Sequence, residues 1–198
     1  MIVAGLTGSI AMGKSETAKM FAARGIPVFD SDAVVHALYA PGGAAVEHIR
    51  HLAPDAIVDG GVDRNRLARL VQADPSLLKR IEAAVHPLVR ESQAAFLLEA
   101  GKTSDLAVLD IPLLFETKRE KDVDIVIVVS ADARLQRERA LARPGMTVEK
   151  LDFILSRQVP DAEKRARADY VIDTSVSLAD TAREVDRVIA EIRVKGRN

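Results

Sequence analysis

The residues with the clearest chemical meaning lie near the amino terminus, where residues 8–15 read G-S-I-A-M-G-K-S and match the pattern G-x-x-x-x-G-K-S. In such a loop the glycines let backbone N–H groups point at phosphate oxygens, the lysine reaches the β and γ phosphates, and the serine hydroxyl binds Mg²⁺. We therefore predict a site for a nucleoside triphosphate, with Mg²⁺ held by Ser15. The predicted nucleotide-binding residues are Gly8, Ser9, Ile10, Ala11, Met12, Gly13, Lys14, Ser15 and Glu16.

Two acids, Asp30 and Asp32, directly follow a second apolar run at residues 26–29. Ligands of parallel α/β folds bind at the carboxyl ends of the strands, so we expect at least one of these carboxylates to take part in the chemistry. The alternative is that Asp30 or Ser31 only caps the helix predicted at residues 33–39. The residue types alone leave both interpretations open.

Cationic side chains form two further candidate groups. Arg139 and Arg143 are four residues apart on one predicted helix face, and their fork-shaped guanidinium groups suit phosphate oxygens, although an arginine-rich helix is more often a solvated face. His86 precedes Pro87, where we predict a helix kink or a fresh helix start, and Arg90 follows one turn later. These two side chains, with backbone N–H groups at the fresh start, could bind an anion; a histidine that merely caps the kink is the alternative.

The elements that must position these residues alternate between apolar strand runs and helical patterns. This alternation predicts an α/β fold with a parallel five-stranded sheet flanked by helices, in the manner of P-loop NTPases. The strands are expected at residues 2–6, 26–29, 106–111, 125–129 and 170–172. A helix is expected to begin at Asp74-Pro75, another near Thr147, and an amphipathic one after Ser177.

Two segments are too long and too patterned to be simple connections between strands. About residues 33–103 are predicted to be an inserted helical subdomain, and about residues 132–167, hereafter the lid segment, an arginine-rich helical flap. The core of this single domain, residues 1–198, then comprises residues 1–32, 104–131 and 168–198.

Composition excludes several classes of function. The 198 residues carry 28 basic and 29 acidic side chains, for a formal charge of -1, and no cysteine. No overall basic character points to nucleic acid or a membrane surface, and no disulfide or cysteine-bound zinc is possible. The sequence holds no D-x-x-G and no N/T-K-x-D motif, so guanine-nucleotide switching is disfavoured. We expect a cytoplasmic protein, without nucleic-acid or membrane partners, that is a monomer or a weak homo-oligomer.

Several separate segments together resemble the dephospho-CoA kinase family over nearly the whole chain. They are the phosphate loop at residues 5–15, the D-x-D at residues 30–32, the segment H-P-L-V-R at residues 86–90, D-I-P-L-L-F-E at residues 110–116 and A-D-Y-V-I-D at residues 168–173. The resemblance implies phosphorylation of the ribose 3′-hydroxyl of dephospho-CoA by ATP, giving CoA and ADP.

The resemblance also implies roles for individual residues. Asp32 orients the 3′-hydroxyl and accepts its proton, although the sequence leaves open whether it is a true base. Lys14 and the loop amides hold ATP, and Arg139 with Arg143 closes over the phosphates as part of an arginine-rich helical lid. The inserted helical subdomain binds the substrate. The acceptor side is lined by Asp32, His86, Arg90, Leu114 and Glu116.

The chain departs from the family pattern at three positions: Ala11 replaces a frequent glycine, Glu16 a frequent threonine and Thr174 a frequent asparagine. Ala11 costs free energy only if its φ is positive, and Thr174 weakens any inference about adenine recognition. The rival interpretations are another P-loop nucleoside-monophosphate or small-molecule kinase and a non-catalytic ATP-binding regulator.

Overall fold

Five apolar runs of the sequence form one parallel sheet in the computed structural model, which describes residues 1–196. The strands of the chain are β1 (Ile2–Thr7), β2 (Val28–Asp30), β3 (Ile57–Val58), β4 (Gly61–Val62), β5 (Leu106–Asp110), β6 (Ile125–Ser130) and β7 (Tyr170–Asp173). The large sheet has the order β2-β5-β1-β6-β7, so β1 is its central strand. The predicted strands are confirmed, with ends that differ by one or two residues.

The helices of the described residues are α1 (Lys14–Ala22), α2 (Ser31–Tyr39), α3 (Val46–Leu52), α4 (Arg64–Ala73), α5 (Ser76–Ala100), α6 (Ala133–Leu141), α7 (Val148–Ser156), α8 (Asp161–Ala166) and α9 (Leu178–Lys195). Residues 1–29 and 100–196 form one compact unit and residues 30–99 another. No helix within residues 1–196 has the length and apolar character needed to cross a membrane.

The strand register brings the carboxyl ends of four strands to one edge of the sheet. Leu6 of β1 is level with Asp110 of β5, Thr7 with Val128 of β6, and Ser130 with Asp173 of β7. The loops that leave this edge begin at residues 8, 111, 131 and 174, and three of them carry predicted site residues.

The sheet is held against α1 and α9 by a continuous apolar core. Every residue of β5 is buried, which explains why its sequence is apolar at consecutive positions rather than at alternate ones. Phe21 of α1 is fully buried against the strands, and α9 contributes Val185, Val188 and Ile192. Each such side chain contributes about 1.5–3 kcal/mol through removal from water. The predicted amphipathic helix after Ser177 is confirmed, and the Ser177 side chain caps it.

The second unit has its own apolar core, which includes Ile49, Leu67 and Val85. It contains a feature that the sequence interpretation missed, the antiparallel hairpin of β3 and β4. Asp59 and Gly60 form its turn with φ of 49° and 79°. Two positive φ values are typical of a type I′ turn, for which Asp-Gly is a preferred pair.

Helix α5 corrects the prediction of a fresh helix start at His86-Pro87. The helix runs without interruption from Ser76 to Ala100, with Pro87 in its interior. Proline removes one backbone donor, but Val85, Leu88 and Val89 pack into the core on both sides of it and hold the helix together. Asp74 does begin this helix, because its Oδ1 accepts from the Ser76 N–H at 3.0 Å.

Candidate active site

The phosphate loop connects β1 to α1 at the edge where the strands end. Gly13 is the residue before α1 and has φ of 87°, a conformation that favours glycine. The first N–H groups of α1 have no acceptor inside the helix, and they carry the positive end of its dipole. The loop can therefore present N–H groups, the Lys14 ammonium and the Ser15 hydroxyl to a polyphosphate.

Gly8 is required for a different reason, which is close packing against the neighbouring strand. A Cβ atom at this position would lie 2.6 Å from the backbone oxygen of Val129 in β6. A strand carbonyl cannot move aside as the end of a side chain can. The loop can pass over β6 only if residue 8 has no side chain.

We expect Gly8→Ala to weaken ATP binding at least about tenfold and to lower stability by about 1–3 kcal/mol, because the loop must shift away from β6. Titration with ATP and thermal unfolding measure both effects. The matched control is Gly5→Ala, whose Cβ would meet only side-chain atoms of Val123 at 3.2 Å and of Leu114 at 3.4 Å. Equal ATP affinities in the two variants would contradict the packing argument.

Ala11 has φ of 62°, so the condition under which it costs free energy is met. A non-glycine residue in this region is disfavoured by about 1–2 kcal/mol. The methyl group is buried in a small apolar cluster with Ala140 and Leu151 of the lid segment, and this packing offsets part of the cost. Position 11 is thus a place where the loop and the lid segment touch.

Lys14 forms an ion pair with Asp110, the last residue of β5. The two side chains keep only 16% and 8% of their exposure, so the pair is largely desolvated. Asp110 begins the segment D-I-P-L-L-F-E, but no role is predicted for it from the sequence. The available signal was an apolar strand that ends in an acid beside the phosphate loop, a common arrangement in P-loop NTPases.

Arg139 is connected to the phosphate loop through Thr174. Its guanidinium group donates to the Thr174 hydroxyl at 3.2 Å and to the Thr174 carbonyl at 2.8 Å. The Thr174 hydroxyl in turn donates to the Met12 carbonyl at 2.8 Å. Arg143 is exposed in the turn after α6. The structure therefore brings Arg139 to the loop and leaves Arg143 in solvent.

The predicted acceptor residues of the second unit are exposed. Asp30 caps α2, since its Oδ1 accepts from the Ala33 N–H at 3.0 Å. Asp32 lies in the first turn of α2 and is not the cap. His86 and Arg90 are four residues apart in α5, where side chains share a face. Because the helix is continuous there, its backbone cannot supply the anion-binding N–H groups expected of a fresh start.

Leu114 and Glu116 are engaged in the interior of the first unit. Leu114 is fully buried. The Glu116 Oε1 accepts from the Val159 N–H at 2.9 Å and lies 2.8 Å from the Nζ of Lys164, which is itself fully buried. Burial alone would raise the pKa of Glu116, but the hydrogen bond and charge of Lys164 hold that pKa below its ordinary value. Glu116 is therefore a carboxylate held ionised by a buried lysine.

The chain is similar to known proteins over almost its whole length. The family model described as dephospho-CoA kinase matches residues 1–180. A dephospho-CoA kinase of Rhizobium etli is 52% identical over 98% of this chain and 96% of its own length, and one of Mesorhizobium japonicum is 55% identical over 98% of each. A crystal structure of a Thermus thermophilus protein superposes with a TM-score of 0.82 at 37% identity, covering 96% of this chain and 97% of that one.

Proposed function

Because this chain belongs to the dephospho-CoA kinase family, we propose that its reaction is carried out by the phosphate loop, Asp110 and the lid arginines on the donor side, and by Asp32 on the acceptor side. The enzyme transfers the terminal phosphoryl group of ATP to the ribose 3′-hydroxyl of dephospho-CoA, giving CoA and ADP. This transfer is the final step of coenzyme A synthesis. The observation that carries the assignment of the donor side is the glycine loop whose lysine is paired with the acid at the end of β5.

On the donor side, the loop amides bind the β and γ phosphates, and Lys14 turns from Asp110 to the phosphates when ATP enters. Arg139 and Arg143 neutralise the charge of the transferring group when the lid segment closes. Closure also excludes water that would otherwise hydrolyse ATP. In this proposal Arg139 needs little movement, since Thr174 already holds it against the loop.

Mg²⁺ fits the chemistry of the residues at this edge. The Ser15 hydroxyl and the Asp110 carboxylate would hold it together with ATP oxygens, since Mg²⁺ favours oxygen ligands and usually binds through one or two carboxylates and substrate phosphates. When bound it would supply positive charge to the phosphate oxygens. The Asp110 carboxylate is ion-paired with Lys14, and it becomes available to such an ion when Lys14 turns to the phosphates.

On the acceptor side, the Asp32 carboxylate accepts a hydrogen bond from the 3′-hydroxyl and receives its proton as the oxygen attacks the γ phosphorus. The bond between this phosphorus and the β–γ bridging oxygen breaks, and ADP leaves. Arg90 contributes a positive charge for the anionic acceptor, and the His86 imidazole a polar group on the same helix face. Leu114 and Glu116 act through the backbone of their turn, because their side chains are engaged in the interior.

The experiment that tests this function is an acceptor panel. Purified protein with ATP and Mg²⁺ is offered dephospho-CoA, AMP, dTMP, shikimate and gluconate in turn. We expect kcat/KM for dephospho-CoA to exceed that of every other acceptor by at least about 100-fold. We also expect phosphorus NMR of the product to show the new phosphate on the 3′-oxygen. Faster turnover of another acceptor would contradict the function. The cytoplasmic location and the monomeric or weakly associated state stay predictions.

A further inference from the structure

The residue Ile10 of the phosphate loop is held at both of its backbone polar groups by glutamine side chains of the lid segment. Gln136 of α6 donates through Nε2 to the Ile10 carbonyl at 2.9 Å. The Ile10 N–H donates to Oε1 of Gln158 at 3.1 Å. Gln136 is buried and Gln158 is half-buried, so neither contact is an ordinary surface hydrogen bond. We call Gln136 and Gln158 the glutamine clamp.

The clamp acts on a turn whose conformation is intrinsically disfavoured. The Met12 N–H donates to the Ser9 carbonyl at 3.2 Å, so residues 9–12 form a tight turn, and its third residue is Ala11 with φ of 62°. A positive φ at the third position is the mark of a type II turn, which is normally made by glycine. Type I and type II turns differ by rotation of the central peptide, here the Ile10–Ala11 peptide. Gln136 binds the carbonyl that this rotation would displace.

The backbone next to Gln158 is itself held by hydrogen bonds and an ion pair. Val159, the next residue, donates its N–H to Glu116, and Glu116 is paired with the buried Lys164 of α8. The backbone N–H of Lys164 also donates to the carbonyl of Pro160, two residues after Gln158, at 3.0 Å. The Gln158 side chain is therefore presented to Ile10 from a backbone anchored to the turn after β5.

We propose that Gln136 and Gln158 are positioning residues for the nucleotide. Gln158 holds the Ser9–Ile10 peptide and Gln136 the Ile10–Ala11 peptide in the orientation that lets the rest of the loop face the phosphates. The inference rests on the proposed function of the loop as the ATP site. It gives the lid segment a second task besides its arginines, because α6 carries both Arg139 and Gln136, and Gln158 lies in the connection between α7 and α8. It also explains how the loop tolerates alanine at position 11.

The test compares Gln136→Met and Gln158→Met, which keep the side-chain length and remove the hydrogen bonds. The matched control is Gln72→Met on the exposed face of α4. We expect the ATP dissociation constant to rise about tenfold in Gln136→Met, equivalent to about 1.4 kcal/mol, and about three- to tenfold in Gln158→Met. KM for dephospho-CoA and the ATP affinity of Gln72→Met stay within about twofold. Clamp variants that are folded and bind ATP as the wild type does would overturn the proposal.

A rescue experiment separates positioning from a general loss of stability. Ala11→Gly removes the backbone penalty of the type II turn, so Gln136→Met with Ala11→Gly is expected to recover at least about threefold in ATP affinity over Gln136→Met alone. A merely structural role of Gln136 predicts no such recovery. Thermal unfolding of each variant accompanies the titrations.

A second pair of variants decides the case if Gln136→Met does not fold. Gln158→Glu keeps an acceptor for the Ile10 N–H, whereas Gln136→Glu places a carboxylate against the Ile10 carbonyl. Both add the same charge beside the loop. We expect Gln136→Glu to weaken ATP binding at least about fivefold more than Gln158→Glu, and equal losses would overturn the proposal. If the wild-type protein binds ATP but does not phosphorylate dephospho-CoA, the proposed function is contradicted, whereas the proposed role of the glutamine clamp in ATP binding is not.

Discussion

We expect Asp32→Asn to lower kcat for dephospho-CoA about 10³-fold and to leave the ATP dissociation constant within about twofold, because the amide cannot accept the proton of the 3′-hydroxyl. Single-turnover measurements with saturating ATP and acceptor report the transfer step directly. The amide oxygen that this substitution introduces still accepts a hydrogen bond. If Asp32 only orients the hydroxyl, the fall is expected to be about tenfold, so the size of the effect separates a base from an orienting group.

The matched control is Asp30→Asn, two residues away. Asp30 caps α2 by accepting from the Ala33 N–H, and asparagine caps a helix as well as aspartate does. We therefore expect Asp30→Asn to retain kcat and stability. A kcat for Asp32→Asn equal to that of Asp30→Asn would remove Asp32 from the chemistry.

Much of the fold could be predicted because its signals are local. The strands of a covered parallel sheet are apolar at consecutive positions, and the runs at residues 106–110 and 125–129 satisfy this rule without reference to any partner. Helix starts are equally local. Thr147 accepts from the Lys150 N–H at 3.3 Å and begins α7, as its position before an amphipathic pattern indicates.

The misses arise where packing competes with a local rule. Pro87 is a helix breaker by itself, yet it lies inside α5, because the apolar residues around it offset a penalty of about 3 kcal/mol by burial in the core of the second unit. The β3–β4 hairpin was missed although Asp59-Gly60 is a turn signal, since its two-residue strands give no alternation that a periodic pattern could reveal.

The same distinction applies to the candidate site. The phosphate loop is a contiguous motif, so it can be recognised from the sequence alone. Its supports come from distant parts of the chain: Asp110 is 96 residues from Lys14, Gln158 is 148 residues from Ile10, and Thr174 is 162 residues from Met12. Nothing in the local sequence of a polar side chain states which backbone group it will bind. These contacts follow only when the strand order brings the loops to one edge of the sheet.

The Lys14–Asp110 pair predicts that loss of Lys14 lowers both activity and stability, for two different reasons. We expect Lys14→Met to lower kcat/KM for ATP about 10³-fold, because a positive charge on the transferring phosphate is lost. The same change takes the ammonium group away from the Asp110 carboxylate, and we expect it to lower the free energy of unfolding by about 2–4 kcal/mol, somewhat less than for a fully buried pair. ATP kinetics and urea unfolding measure the two effects.

Adding Asp110→Asn to Lys14→Met removes the carboxylate charge that Lys14 balances in the wild type. The double variant is therefore expected to recover most of the lost stability while its activity stays at the level of Lys14→Met or lower, since Asp110 is also proposed to help hold Mg²⁺. Lys19→Met is the matched control on the same helix, because the Lys19–Glu16 pair is exposed and contributes little. If the double variant recovers activity as well as stability, Lys14 is needed for folding and not for binding the phosphates. If the double variant is stable but inactive, the charge of Lys14 acts on the transferring phosphoryl group.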